Sequence, residues 1–259
     1  MNILSELANN AKERVKTAKQ IISESELRTK ALSMLKENFP FENALKIDDI
    51  SFICECKKAS PSKGVISEDF PYLEIAKDYE AAGANCISVL TEPSKFLGSN
   101  DYLREIAGTV TIPCLRKDFV VDEYMLYETK ILGAKAVLLI CGILDKQQLA
   151  NYIKICDTLG ISSLIEAHNE SEIKMAIESG ARMIGVNNRN LKDFSVDVEN
   201  SKRMRELVPR DILFISESGI KTPDDIKKLR NIGADAVLIG ETLMRASDKK
   251  AKLSELRGK

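Results

Sequence analysis

The stretch N-I-G-A-D-A-V-L-I-G, residues 231–240, decides the fold because variants of it recur along the chain. The others are A-A-G-A-N-C-I-S-V-L (81–90), I-L-G-A-K-A-V-L-L-I (131–140) and E-S-G-A-R-M-I-G-V (178–186). Each has Gly-Ala, one or two polar residues, and then a run rich in β-branched residues or Leu. Gly83, Gly133, Gly180 and Gly233 therefore return about every 50 residues. A glycine at this point ends a helix in the left-handed conformation, and the apolar run after it is a buried parallel strand.

Further short apolar runs lie between these units: S-F-I-C (51–54), I-P-C-L (112–115), S-S-L-I (162–165) and I-L-F-I (212–215). Helical stretches separate the runs. Asp122 is placed to cap the helix that follows it, and Thr222 to cap another, with Pro223 at the favoured first helical position. Strands alternating with helices imply parallel strands with helices outside. Eight such units in about 210 residues predict an α/β fold of the (β/α)8 TIM-barrel type. An open doubly wound sheet is the alternative, but it usually carries a G-x-G-x-x-G turn, which is lacking here. We expect one barrel domain over residues 1–259, with residues 1–45 as extra N-terminal helices capping one end.

The chain has 259 residues, 44% of them apolar and 30% charged, with a net charge of −1, so neither a basic nucleic-acid groove nor a membrane-seeking patch is expected. No apolar run approaches the roughly 18 residues of a membrane span, and the first residues lack a signal-peptide pattern. Cysteines stand at 54, 56, 86, 114, 141 and 156, mostly within apolar runs, where Cys serves as a small hydrophobe. One histidine, His168, and no paired C-x-x-C knuckles speak against zinc. The expectation is a reduced, cytoplasmic monomer with no metal or other cofactor and no nucleic-acid or membrane partner.

Catalysis in such a barrel occurs at the carboxyl ends of the strands. The first strand ends in E-C-K-K-A-S-P-S-K-G (55–64), where Glu55 and Lys57 share a face and Cys54 and Cys56 share the other. Later strand ends present Thr91 and Glu92, Lys117, Glu166, Asn187 and Arg189, then Glu217, Ser218 and Gly219, and finally Gly240 and Glu241. Lysines and carboxylates gathered at one mouth shift one another's ionisation and support acid–base chemistry. The turns after strands seven and eight are where these barrels hold phosphate through backbone N–H groups. A phosphorylated small molecule is the expected ligand. Taken singly, each residue has a plainer reading. Glu55–Lys57 reads equally as a structural ion pair, Lys117–Asp118 as a surface pair, Asn187–Asn188 as turn residues and His168 as a loop histidine.

Together these residues resemble the indole-3-glycerol-phosphate synthase family over nearly the whole chain. The resemblance rests on E-C-K-K-A-S-P-S-K-G, S-V-L-T-E-P (88–93), L-R-K-D-F-V-V-D (115–122), L-I-E-A-H (164–168), G-V-N-N-R-N-L (185–191), S-E-S-G-I (216–220) and L-I-G-E-T-L-M (238–244). The first and third are the most specific. Cys56 stands where an aliphatic residue is expected, on the face turned from the pocket. The resemblance implies ring closure of 1-(2-carboxyphenylamino)-1-deoxy-D-ribulose 5-phosphate to indole-3-glycerol phosphate, releasing CO2 and water, without a cofactor. It implies Lys117 as general acid and Glu166 as general base. Lys57 would lie near the substrate's charged groups, with Glu55 orienting the lysines. Asn187, Glu217 and Ser218 would place the substrate, and Arg189 would support the mouth. Ser60, Gly219, Gly240 and Glu241 would lie near the phosphate. Phe119, Leu191 and Leu238 would complete the binding surface, the first two flanking the aromatic ring. The alternatives are an isomerase on the same barrel, such as phosphoribosylanthranilate isomerase, and a non-catalytic sugar-phosphate binding module.

Overall fold

The computed structural model describes residues 3–189, 195–197 and 199–258. Three helices precede the first strand: α1 (Ile3–Ile21), α2 (Glu24–Ser33) and α3 (Pro40–Leu45). Eight strands then alternate with helices. The strands are β1 (Ser51–Cys56), β2 (Cys86–Leu90), β3 (Cys114–Lys117), β4 (Ala136–Ile140), β5 (Ser162–Ala167), β6 (Met183–Asn187), β7 (Leu213–Glu217) and β8 (Ala236–Ile239). The helices between them are α4 (Tyr72–Ala81), α5 (Asn100–Thr109), α6 (Glu123–Ile131), α7 (Lys146–Leu159), α8 (Glu170–Glu178), α9 (Glu199–Arg205) and α10 (Pro223–Asn231). After β8 come α11 (Glu241–Met244) and α12 (Lys249–Arg257). Each strand pairs in parallel with its sequence neighbours, and β8 returns to β1 to close a barrel.

The local signals act as their chemistry requires. Gly83, Gly133, Gly180 and Gly233 all have φ between 76° and 89°, ending the helices before β2, β4, β6 and β8. The Asp122 side chain accepts from the Tyr124 N–H, and Thr222 forms a reciprocal capping box with Asp225 ahead of Pro223. Strand residues alternate between two cores. Ile53, Leu115, Leu138 and Leu164 fill the barrel, whereas Phe52, Cys54 and Cys56 face the surrounding helices.

Four strands run beyond the apolar stretches that announce them. The segments 51–54, 112–115, 162–165 and 212–215 extend or shift to end at Cys56, Lys117, Ala167 and Glu217. Backbone pairing is indifferent to side-chain polarity, so the ladder continues through Leu90↔Lys117, Ile140↔Glu166 and Asn187↔Glu217. The charged residues are thereby held on rigid strand rather than on loop.

The N-terminal helices pack against both ends of the barrel, not one. Leu7 and Ala11 of α1 join the interior core beside Phe119 at the carboxyl ends of the strands. Arg14 makes two hydrogen bonds to Asp118, at 2.7 and 3.0 Å, and Lys19 bonds Asp122 at 2.9 Å. At the opposite end, Phe41 and Leu45 of α3 plug the interior, and Ser51 at the start of β1 donates to the Leu45 carbonyl at 3.1 Å. The helical spacing of 1–45 announces helices, but not which end of the barrel receives them, and Ile21, Ile22 and Leu32 of that spacing are exposed.

Candidate functional site

A cavity of about 810 Å³ opens at the carboxyl ends of the strands. Glu55, Lys57, Ser60, Lys117, Phe119, Glu166, Asn187, Arg189, Glu217, Ser218, Gly219, Leu238, Gly240 and Glu241 all line it; Thr91, Glu92 and His168 do not, and Leu191 lies outside the described residues. Lys117 stands at its centre. Its Nζ is 3.1 Å from Oε2 of Glu166 on β5 and 3.1 Å from Oε2 of Glu217 on β7. Lys57 pairs with Glu55 as the two-residue spacing requires. Asn187 donates a side-chain hydrogen bond to Glu166.

Burial and proximity push these groups apart in ionisation. Burial opposes the charge on Lys117, yet Glu217, Glu166 and Glu55 together raise its pKa above the usual lysine value. Burial likewise opposes the charge on Glu166, but Lys117 and His168 bring its pKa below the ordinary carboxylate value. Glu217 goes the other way. Burial, reinforced by the negative charge of Glu166 and only partly offset by Lys117, lifts it to about 7. The cavity therefore holds a firm ammonium, a firm carboxylate and a second carboxyl that titrates near neutrality. Groups so separated are equipped to give and to take a proton at one pH.

Two glycines make this crowding possible. A Cβ on Gly185 of β6 would overlap Oε1 of Glu217. A Cβ on Gly240 would overlap Oε2 of Glu55 and stand 3.1 Å from Nζ of Lys57. Beyond the charges, the chain turns sharply after β7: Ser218 has φ 67° and Gly219 φ 83°. Left-handed backbone is uncommon for a residue with a side chain, and here it is held in place. Asn188 donates to the Ser218 carbonyl at 3.1 Å and to Ser216 at 3.0 Å, and Thr242 donates to the Ile220 carbonyl at 2.6 Å. Asn188 is thus a buried strut between β6 and β7 rather than a simple turn residue.

Several contributors escape a reading of the sequence. Asp118 is not a surface partner of Lys117. Asp118 follows the last residue of β3 and is buried against Arg14, with Thr91 donating to it at 2.6 Å and the Arg116 guanidinium 3.6 Å away as an ion pair. Ile3, Leu4 and Leu7 of α1 and Phe96 of the loop after β2 line the cavity, the Phe96 ring 6.2 Å from that of Phe119. No local signal marks Asp118 as the partner of Arg14 or brings α1 and Phe96 to the cavity. His168 is a loop residue as expected, but its Nε2 lies 3.3 Å from Glu166.

The fold and the cavity agree with the relatives of the chain. A family model described as indole-3-glycerol phosphate synthase matches residues 4–256. An indole-3-glycerol phosphate synthase of Ruminiclostridium cellulolyticum is 59% identical over 99% of both chains. One of Lachnoclostridium phytofermentans is 47% identical over 98% of both. Among solved structures, a 3-hexulose-6-phosphate synthase superposes with a TM-score of 0.66 at 14% identity, covering 81% of this chain and 99% of its own. That likeness carries the barrel alone, whereas the sequence matches span barrel, extension and cavity together: the chain belongs to the indole-3-glycerol phosphate synthase family.

Proposed function

We propose that Lys117 and Glu166 divide the proton transfers by which this carboxy-lyase of tryptophan biosynthesis makes indole-3-glycerol phosphate, CO2 and water from 1-(2-carboxyphenylamino)-1-deoxy-D-ribulose 5-phosphate. The aromatic carbon bearing the carboxylate attacks the ketone carbon of the sugar. The ketone oxygen gains charge, and the Lys117 ammonium supplies its proton. Loss of CO2 restores the aromatic ring. The new hydroxyl then leaves as water while Glu166 takes a proton from the ring nitrogen or carbon.

Lys57, paired with Glu55, stands near the substrate's charged groups, and Asn187, Glu217 and Ser218 place the reacting atoms. Ser60, Gly219, Gly240 and Glu241 surround the phosphate, largely through backbone. Phe119, Leu238 and Arg189 hold the aromatic end and the rim. Near-attack placement of this kind is worth roughly 7–11 kcal/mol. The reading extends to a cytoplasmic monomer in which residues 1–45 share one folding unit with the barrel. Its six cysteines are unpaired and buried, as suits a reducing compartment.

The observation that carries the assignment is the position of the Lys117 Nζ, 3.1 Å from each of two carboxylates on different strands. A thiol-based isomerase lacks comparable support: Cys54 and Cys56 face the helices, and burial pushes the Cys54 thiol up to about 12. The test is to supply the carboxyphenylamino substrate and follow indole fluorescence. Lys117→Ala should lower turnover about 10²–10⁴-fold while substrate still binds. Near-normal turnover in that variant rejects the acid role, and binding without product in the unmodified protein rejects the reaction.

A further inference from the structure

His168 is the only histidine of the chain, and nothing in the proposed chemistry uses it. It does not line the cavity. It stands behind Glu166, in the turn after β5, with its Nε2 buried, making no aligned hydrogen bond and lying 3.3 Å from Oε1 of Glu166. Its other ring nitrogen, Nδ1, is 3.3 Å from Oε2 of Glu172 on α8. Glu172 is itself fastened. Oε2 also accepts the backbone N–H of His168 at 2.8 Å, and Oε1 accepts from Asn169 at 2.8 Å. Charges therefore alternate in a row from the outer helix to the cavity: Glu172, His168, Glu166, Lys117, Glu217.

We infer that His168, oriented by Glu172, is a positioning residue for Glu166: it holds the carboxylate ionised and turned toward Lys117 from the side the substrate cannot reach. The inference rests on Glu166 being the base of the late step. A base that sits beside Lys117 shares that lysine with Glu217, so its ionisation is secured less well by Lys117 alone. A cation on the far side adds support without occupying substrate space. Two other groups face this row. Glu217 acts on His168 across the cavity, and Cys141, in the turn after β4, donates its thiol to the Glu172 carbonyl. Burial pushes that thiol up to about 12, so it stays neutral and adds no charge. Burial opposes protonation of His168, but Glu172 and Glu166 overcome it and raise its pKa. Its positive charge is present below that raised value and lost as pH rises through it.

The single histidine makes the test direct, because its ring proton resonances need no assignment. In an NMR pH titration of the whole protein, Glu166→Gln and Glu172→Gln should each lower the His168 pKa by about one unit, an opposite charge at this range shifting a partner by one to three. By reciprocity His168→Gln should raise the pKa of Glu166. The acid limb of the turnover profile, where Glu166 becomes protonated, should then move about one unit to higher pH. Turnover should fall roughly tenfold with KM unchanged, since His168 does not itself line the cavity and reaches it only through Glu166. An unshifted His168 titration in Glu166→Gln, or an unmoved acid limb in His168→Gln, overturns the inference. The titration stands even if His168→Gln folds poorly. Failure of the underlying reading looks different: Glu166→Gln itself would then keep near-normal turnover.

Discussion

The two ends of the barrel both pack against helices of the N-terminal extension and both carry buried charge, yet they are finished differently. At the end under α3, Arg182 meets Glu42 at 2.8 and 3.1 Å and Asp157 at 2.7 Å, and its guanidinium lies 4.3 Å from the Phe39 ring centroid. At the end under α1, Glu217 Oε1 is buried with no hydrogen-bond partner among the described residues, and Lys117 is shared between two acids. A buried carboxylate that is paired and hydrogen-bonded is compatible with stability, whereas one left short of partners costs it. The lower end is thus organised for cohesion. The upper end keeps unmet polar groups where a substrate would meet them.

That contrast is open to breaking. The largest effect should come from Glu166→Gln, which keeps the shape and removes the base. Turnover at saturating substrate should drop about 10²–10⁴-fold with a late step slowed, and an unchanged rate would contradict the assignment. Gly185→Ala should displace Glu217 and cost about 10²-fold in turnover, as small misplacements in a site do. The shorter acid in Gly185→Ala/Glu217→Asp should recover part of it, and no recovery would mean that the glycine serves the strand rather than the acid.

Glu42→Ala should leave turnover near normal and lower unfolding free energy by about 2–3 kcal/mol, below the full loss for a buried pair because Arg182 is partly exposed. Denaturant titration reads this directly. The smallest effect tests the sign of the strain at the mouth. Glu217 has a raised pKa of about 7, so its charge disfavours the folded state above that pH, and stability rises as pH falls from there toward the ordinary carboxylate value. Glu217→Gln should therefore be about 1–2 kcal/mol more stable than the unmodified protein at pH 8, and the gain should vanish near pH 4. Equal stability at pH 8 would remove the claim that the upper end is held under tension.

Short-range chemistry made much of this legible from residue order. The recurring Gly-Ala unit needs only a left-handed helix end followed by a buried run. The spacing of Glu55 and Lys57 puts them on one strand face whatever surrounds them. The charged ends of β3, β5 and β7 fall at one mouth because parallel strands present all their carboxyl ends together. Other features depend on long-range packing and have no local signature. Arg14 reaches Asp118 across a sequence separation of 104, and Arg182 reaches Glu42 across 140. Which end of the barrel each N-terminal helix covers, the raised pKa of Glu217 and the stacking of His168 behind Glu166 arise only when distant strands and helices are brought within a few ångströms. Sequence periodicity acts between neighbours along the chain and so determined the barrel and the roster of charged strand ends. Ionisation and closure depend on burial and on the field of groups far apart in sequence, and these the tertiary structure alone decided.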